Sequence, residues 1–376
     1  MTPTAKISLM GNLLLKIMST VGRSLSMRTT RFAIVGAGPV GLAVARLLQI
    51  RGLDVAVFER DASREPRRGG SLDLKPESGL IAIDRTGLRA AFLEKARSEG
   101  ISFRSVDAET LAVRFEDDTS TDPEIDRADL RDLLLDSLQP ETVSWAHELE
   151  AVHETDGGFE LEFRGKGSVK AEFIIGCDGL RSRVRPLVTP LPPHYTGITV
   201  IEVTAASPLV PALEVMDRLV GNGSLLASES GRAIWAQRTQ AGTIRAYFSY
   251  AAQEGAAVPS AEQLKQLFSS FNPALTALIE SATSPFRPWP LYICPPDQSW
   301  PVHPRITILG DAAHVMPPFT GAGVNNGLLD AVQFVDALES DSRAEFEAGM
   351  RSRTRTEMLR TLEAAVERYG SAVILP

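Results

Sequence analysis

Cysteine is scarce in this chain: Cys177 and Cys294 are the only two in 376 residues. Two thiols cannot build a disulfide framework, and neither stands at metal-ligand spacing from the five histidines. A disulfide-stapled secreted scaffold and a cysteine-ligated zinc site are therefore excluded, and a reducing, cytoplasmic setting is expected. Basic charge is in deficit too, with 39 Lys and Arg against 47 Asp and Glu, which argues against a nucleic-acid partner. No G-x-S-x-G elbow, P-loop or H-E-x-x-H occurs. The chain brings little chemistry of its own, which points to chemistry borrowed from a cofactor.

Acidic residues are absent from the first 53 positions, where Lys6, Lys16, Arg23, Arg28 and Arg31 are basic. The run "LMGNLLLKIM" is too short and interrupted to span a bilayer, so no membrane association is expected. Residues 1–28 are read as a disordered extension outside the fold, and their basic bias leaves organelle targeting open.

What the chain does contain starts at "RFAIVGAGPVGLAVARLLQIRGLDVAVFER". The pattern predicts a strand to Val35, a turn Gly36-Ala-Gly38-Pro-Val-Gly41, a helix over 39–51 and a strand from Asp54 to Phe58, ending at Glu59 and Arg60. Gly36 permits the tight turn, Gly38 lets backbone reach a pyrophosphate, and Gly41 lets helix and strand pack closely. The helix N-terminus offers free N–H groups to the phosphates. Glu59 stands near the offset at which a carboxylate meets a ribose hydroxyl, which suits NAD or the adenosine half of FAD. This motif alone does not separate the two.

A second irregular stretch, "ITILGDAAHVMPPFTGAGVNNGLLDA" at 306–331, places Gly-Asp, two prolines and three glycines between an apolar strand and an apolar helix. Backbone so bare of side chains can lie against a flat ligand. A third, "IIGCDGLRSRVR", spans 174–185. Together, in order and spacing, the three resemble the motifs of the single-component flavin monooxygenases, the group of the aromatic hydroxylases. The stretches "RRGGSLDLK", "EIDRADLR" and "GDAAHVMPPF" are most similar to the tetracycline-inactivating branch.

The resemblance implies an α/β fold: a Rossmann-like FAD-binding domain of the para-hydroxybenzoate-hydroxylase (GR2) type, a second substrate domain on a mostly antiparallel sheet, and a long C-terminal helix. The expected division is 29–80, 117–186 and 290–335 for FAD, 81–116 and 187–289 for substrate, and 336–376 for the bridging helix. It further implies that Gly36, Gly38, Gly41, Glu59, Arg60, Asp73, Arg127, Asp178, Asp311, Gly321, Gly323, Val324 and Asn325 hold FAD. Arg67 and Arg185 would serve NADPH or NADH. Pro317, Pro318 and Phe319 would form a lid over the flavin. Cys177 is a packing residue and His314 a structural hydrogen-bonding one.

The implied reaction has NAD(P)H reduce FAD, O2 add to the flavin at C4a, and the hydroperoxide hydroxylate an electron-rich phenolic or polyketide-like molecule. Glu202, Ser224 and Arg245 are expected at the substrate; tetracycline degraders carry other polar residues there, so activity on tetracyclines is not implied. A monomer or weak dimer with no metal is expected. The alternatives are another FAD-dependent oxidoreductase of this fold or a non-catalytic FAD-binding redox protein; the halogenase W-x-W-x-I-P signature is missing.

Overall fold

The computed structural model describes residues 28–65, 69–97, 102–119, 121–205, 213–239, 241–283 and 285–376. The expected extension lies outside these residues apart from Arg28, and so does Arg67. Two seven-stranded sheets dominate. The first runs, in spatial order, Val143–Ser144, Val55–Phe58, Thr29–Val35, Gly167–Gly176, Gly158–Phe163, Leu149–Thr155, with Ile306–Ile308 also on Gly167–Gly176. Its central pairings are parallel. The strands Val55–Phe58 and Ile306–Ile308 are buried throughout, as a sheet covered on both faces requires. The helices Pro39–Ile50 and Ala322–Ser340 pack against each other, and their apolar residues join one large core with the sheet.

The second sheet runs Arg287–Ile293, His194–Thr204, Ile244–Ala251, Arg232–Arg238, Ser224–Glu229, Phe103–Val106, Val113–Asp117, almost wholly antiparallel. One face, with Ile201, Val203, Leu225, Ile234 and Phe248, forms its own core with Met216, Leu264, Phe268 and Leu278 from the three short helices behind it. The opposite face looks toward the first domain. A two-stranded ladder, Ser71–Asp73 with Glu124–Asp126, lies at the seam.

The chain crosses between domains at different places than expected. Helix Gly79–Arg85 and Phe92 of helix Arg89–Lys95 join the first core, so the crossing lies near residue 97 and not at 81. The strand Arg287–Ile293 still belongs to the second sheet, so the return falls after 293 and not at 290. This strand carries Pro288 and Pro290, which lack a donor and are tolerated because the strand is at the sheet's edge. The long C-terminal helix is Arg343–Tyr369; its buried residues include Phe346, Met350, Met358, Leu362 and Tyr369. Tyr369 reaches the second sheet, its hydroxyl 2.7 Å from Ser249 Oγ, so the helix ties the two domains together.

Candidate functional site

The three motifs meet at the carboxyl ends of the parallel strands, the place where open α/β sheets bind ligands. Gly36 has φ +103°, and a Cβ on it would stand 2.4 Å from the Cys177 carbonyl oxygen. Only glycine lets the first loop touch the Asp-Gly loop. A Cβ on Gly41 would sit 2.1 Å from Gly36 O, so helix and turn are equally tight there. The third motif joins through the parallel pairing of Ile174–Gly176 with Ile306–Ile308 and the Leu309 N–H donating to Gly176 O at 2.9 Å.

Buried Glu59 accepts from the Ala37 N–H at 2.8 Å and from the Asp61 N–H at 3.0 Å, holding the first loop from below. Buried Arg131 donates through Nε to Ala37 O at 3.0 Å. Arg60 is exposed beside the loop. Asp178 accepts from the backbone of Arg183 at 2.6 Å and of Val184 at 3.3 Å through one oxygen; its other oxygen, Oδ1, is buried with no hydrogen-bond partner among the described residues. Burial raises the carboxyl's pKa above the usual carboxylate range.

In the second loop Asp311 is exposed and opens a one-turn helix, Asp311–His314, following Gly310 at φ +59°. The long helix begins directly after Gly321, which has φ +65°. Gly323, Val324 and Asn325 therefore lie in its first turn and not in the irregular loop before it. Asn325 acts as a clamp: its Oδ1 accepts from Lys75 N, Gly79 N and Ser78 Oγ at 3.0 to 3.3 Å, and its Nδ2 donates to Asp73 O at 2.8 Å. His314 is buried with Nε2 2.6 Å from Asp330, which also accepts from Gly310 N and pairs with Arg353; the ring is structural. Of the expected lid, Pro317 is buried and Phe319 rests on Tyr369, ring centroids 5.7 Å apart.

Arg185 departs from expectation. It is buried, and all three nitrogens donate to protein: Nε to Leu191 O, one terminal nitrogen to Ala312 O and Ala313 O, the other to Gln298. Four of its five N–H groups are thus engaged by protein and the side chain is buried; it holds the Asp311–His314 turn.

Whether these residues fit a flavin dinucleotide is tested by their bare surfaces. Among the described residues a Cβ on Gly38, Gly321 or Gly323 would meet no atom within 4 Å, which leaves room for a ligand at each. Both long helices begin there without a side-chain cap or an acidic residue in the first turn, so their N–H groups are available to phosphate or to negative charge on a ring. With the unpartnered Asp178 Oδ1, the donors and acceptors suit the cofactor at both ends.

The wall above is the free face of the second sheet. Glu202 and Arg245, 3.5 Å apart, largely neutralise each other, and Glu202 also accepts from Trp289 Nε1 at 3.0 Å. Ser224 is buried on the same face in register with Gln237, which is in register with Arg245. Gln237 reaches the first domain, donating to Glu124 at 3.2 Å and accepting from Ser71 N at 3.4 Å. Arg127 has no side-chain partner among the described residues, and its stem lies where a Cβ on Gly69 would be, 2.7 Å from Cδ. The Tyr247 hydroxyl sits over Gly70, and its pKa is raised by burial, keeping it a neutral donor.

Asp73 and Glu124 face each other across the small ladder. Burial and then the neighbouring Asp73 charge push Glu124 up to about 7, against Arg97, which pairs with it. Gln237, Tyr247 and Glu124 gave no local signal in the sequence. Only the register of distant strands brings them to the cleft.

A family model described as FAD binding domain matches residues 29–345. The 3-amino-4-hydroxybenzoate 2-monooxygenase of Streptomyces cremeus is 30% identical over 334 residues, covering 85% of this chain and 82% of that protein. The crystal structure of Klebsiella pneumoniae HpxO complexed with FAD and uric acid superposes with a TM-score of 0.78 at 20% identity, covering 91% of this chain and 89% of that one. The tetracycline destructase Tet(51) superposes with a TM-score of 0.69 at 18% identity, covering 92% of this chain and 93% of that one. These likenesses agree with the expected fold.

Proposed function

Since the chain belongs to the FAD binding domain family, we propose that it is an FAD-dependent monooxygenase that uses NADPH or NADH and O2 to hydroxylate an electron-rich aromatic or polyketide-like small molecule. The observation that carries this reading is the convergence of three bare backbone surfaces under a wall of mixed polar and aromatic side chains. The streptomycete relative, named for an aminohydroxybenzoate, supports the substrate class.

When bound, FAD supplies the electron storage and oxygen activation that the side chains lack. Gly36, Gly38, Gly41 and the start of helix Pro39–Ile50 would take the pyrophosphate, and Glu59 and Arg60 the adenosine half. Asp178 and Asp311 would receive the ribityl hydroxyls. Gly321, Gly323, Val324 and the first turn held by Asn325 would bed the ring, with Asp73 and Arg127 at its edge. The neutral Tyr247 hydroxyl, Gln237, Ser224 and the Glu202–Arg245 pair would orient substrate above it. Pro317, Pro318 and Phe319, anchored on the C-terminal helix, would keep water from the ring. The nicotinamide nucleotide would dock transiently, without Arg185.

The test follows NADPH and NADH oxidation by the flavin-loaded protein with and without 3-amino-4-hydroxybenzoate and related phenols, under isotopically labelled dioxygen. Stimulated oxidation with one labelled oxygen atom in the product is expected. Flavin reduction without labelled product across a broad phenol panel would overturn the monooxygenase assignment.

A further inference from the structure

We propose that Trp235, Phe103 and Phe115 form a distal part of the substrate site, selecting molecules whose reacting ring is fused or linked to a second ring. This rests on the functional reading above and adds a substrate class to it.

In the second sheet, successive side chains alternate between the faces, and directly paired residues share a face. The rows Phe115 to Ser105, Ser105 to Leu226, Leu226 to Trp235, Trp235 to Tyr247 and Tyr247 to Glu202 run across the sheet in one register. All of these side chains therefore stand on the face toward the flavin loops, opposite the helix-covered core. Trp235 and Phe103 are stacked, centroids 5.4 Å apart and planes 23° from parallel, and Phe115 continues the series 6.1 Å from Phe103.

Packing alone does not account for this arrangement. Phe115 is 53% exposed on the edge strand, and Phe103 and Trp235 are half-buried. At this end of the sheet the usual distribution is inverted: the ion-paired Arg104 and Glu116 take the core side and the aromatic rings take the open side. Aromatic surface left open at a sheet edge is an association hazard, which makes it informative where it occurs.

The occupant follows from continuity with the cleft. Trp235 is directly paired with Tyr247, whose hydroxyl hangs over Gly70 at the cleft, so the rings begin where the polar centre ends. Across this row and the neighbouring one of Arg245, Gln237, Ser224 and Phe103, the polar groups of Glu202, Arg245 and Gln237 stand at one end and flat apolar surface follows at the other. A molecule with a polar hydroxylated ring and a further planar ring matches that order, since offset stacking on aromatic faces adds to simple burial.

The experiment titrates flavin-loaded full-length protein, without reductant, with salicylate and with a hydroxynaphthoate bearing the same adjacent carboxylate and hydroxyl, read by perturbation of the flavin absorbance. The two-ring probe is expected to bind at least ten-fold tighter. Trp235→Ala should bring the ratio near one while leaving salicylate affinity unchanged, and Trp235→Phe should keep the preference. Hydroxynaphthoate should also quench a part of the tryptophan emission that Trp235→Phe lacks, a readout that does not depend on the alanine variant folding. Equal affinity for both probes in the wild type, or quenching unchanged in Trp235→Phe, overturns the inference while leaving the flavoprotein reading intact. Protein that takes up no flavin overturns both.

Discussion

Replacing Gly36 and Gly38 one at a time should separate the folding role of the first loop from its binding role. In Gly36→Ala the new Cβ would be 2.4 Å from Cys177 O and 2.8 Å from Cys177 C, at φ +103°. The positive φ costs about 1–2 kcal/mol and the overlap with rigid backbone about 1–3 more. The Asp-Gly loop must then move away, so both thermal stability and flavin content should fall. Gly38 differs: its φ of −78° and ψ of 172° suit alanine, and no atom of the described residues lies within 4 Å of the new Cβ. Gly38→Ala should leave the fold within about 0.5 kcal/mol of wild type. It should nonetheless displace the pyrophosphate and lose one or two charge-assisted hydrogen bonds, roughly a 10- to 100-fold weaker FAD affinity. Melting curves of the flavin-free proteins and FAD titrations of each check both halves. If Gly38→Ala bound FAD as wild type does, or Gly36→Ala melted unchanged, the assignment of the two glycines would be wrong.

Arg185→Met strands the buried carbonyls of Leu191 and Ala312, while Ala313 O keeps its bond from Gln298 Nε2; a loss of about 2–4 kcal/mol is expected in denaturant unfolding. An unchanged midpoint with only a higher KM for NADPH would return Arg185 to the nucleotide site. Glu124, at about 7 in the folded protein, holds its proton there at pH values where the unfolded chain has lost it. Its contribution is therefore fully present below the unfolded value of 4.5 and is lost as pH rises toward 7, on the order of 2 kcal/mol. Melting as a function of pH should show that decline in the wild type and a flatter profile in Glu124→Gln; parallel profiles would remove Glu124 from the pH dependence.

How much of this was legible in the sequence depended on the range of the contacts. The strand, turn, helix and strand around Gly36 are local, and residue order alone placed them to within two residues. The loop at 306–331 was legible for the same reason, although the long helix begins at Ala322 and takes in Gly323 to Asn325, which were read as part of the irregular stretch. The clamp by Asn325 on Lys75 and Gly79 spans about 250 residues and leaves no local trace. Likewise the Glu202–Arg245 pair, expected as two separate substrate contacts, becomes a pair only through strand register. Arg185, expected at the nicotinamide nucleotide, is buried by the fold and bonded to backbone carbonyls far along the chain. The domain crossings were misplaced because an amphipathic helix such as Gly79–Arg85 carries the same pattern whichever core it joins.

Side-by-side titration of the flavin-free full chain with FAD and with FMN asks whether separate loops hold the two ends of one molecule. Saturation by one equivalent of FAD is expected, with FMN, which lacks the adenosine half that the Gly36–Gly41 turn would hold, at least ~100-fold weaker. Equal affinity for the two, or binding of neither, would contradict it.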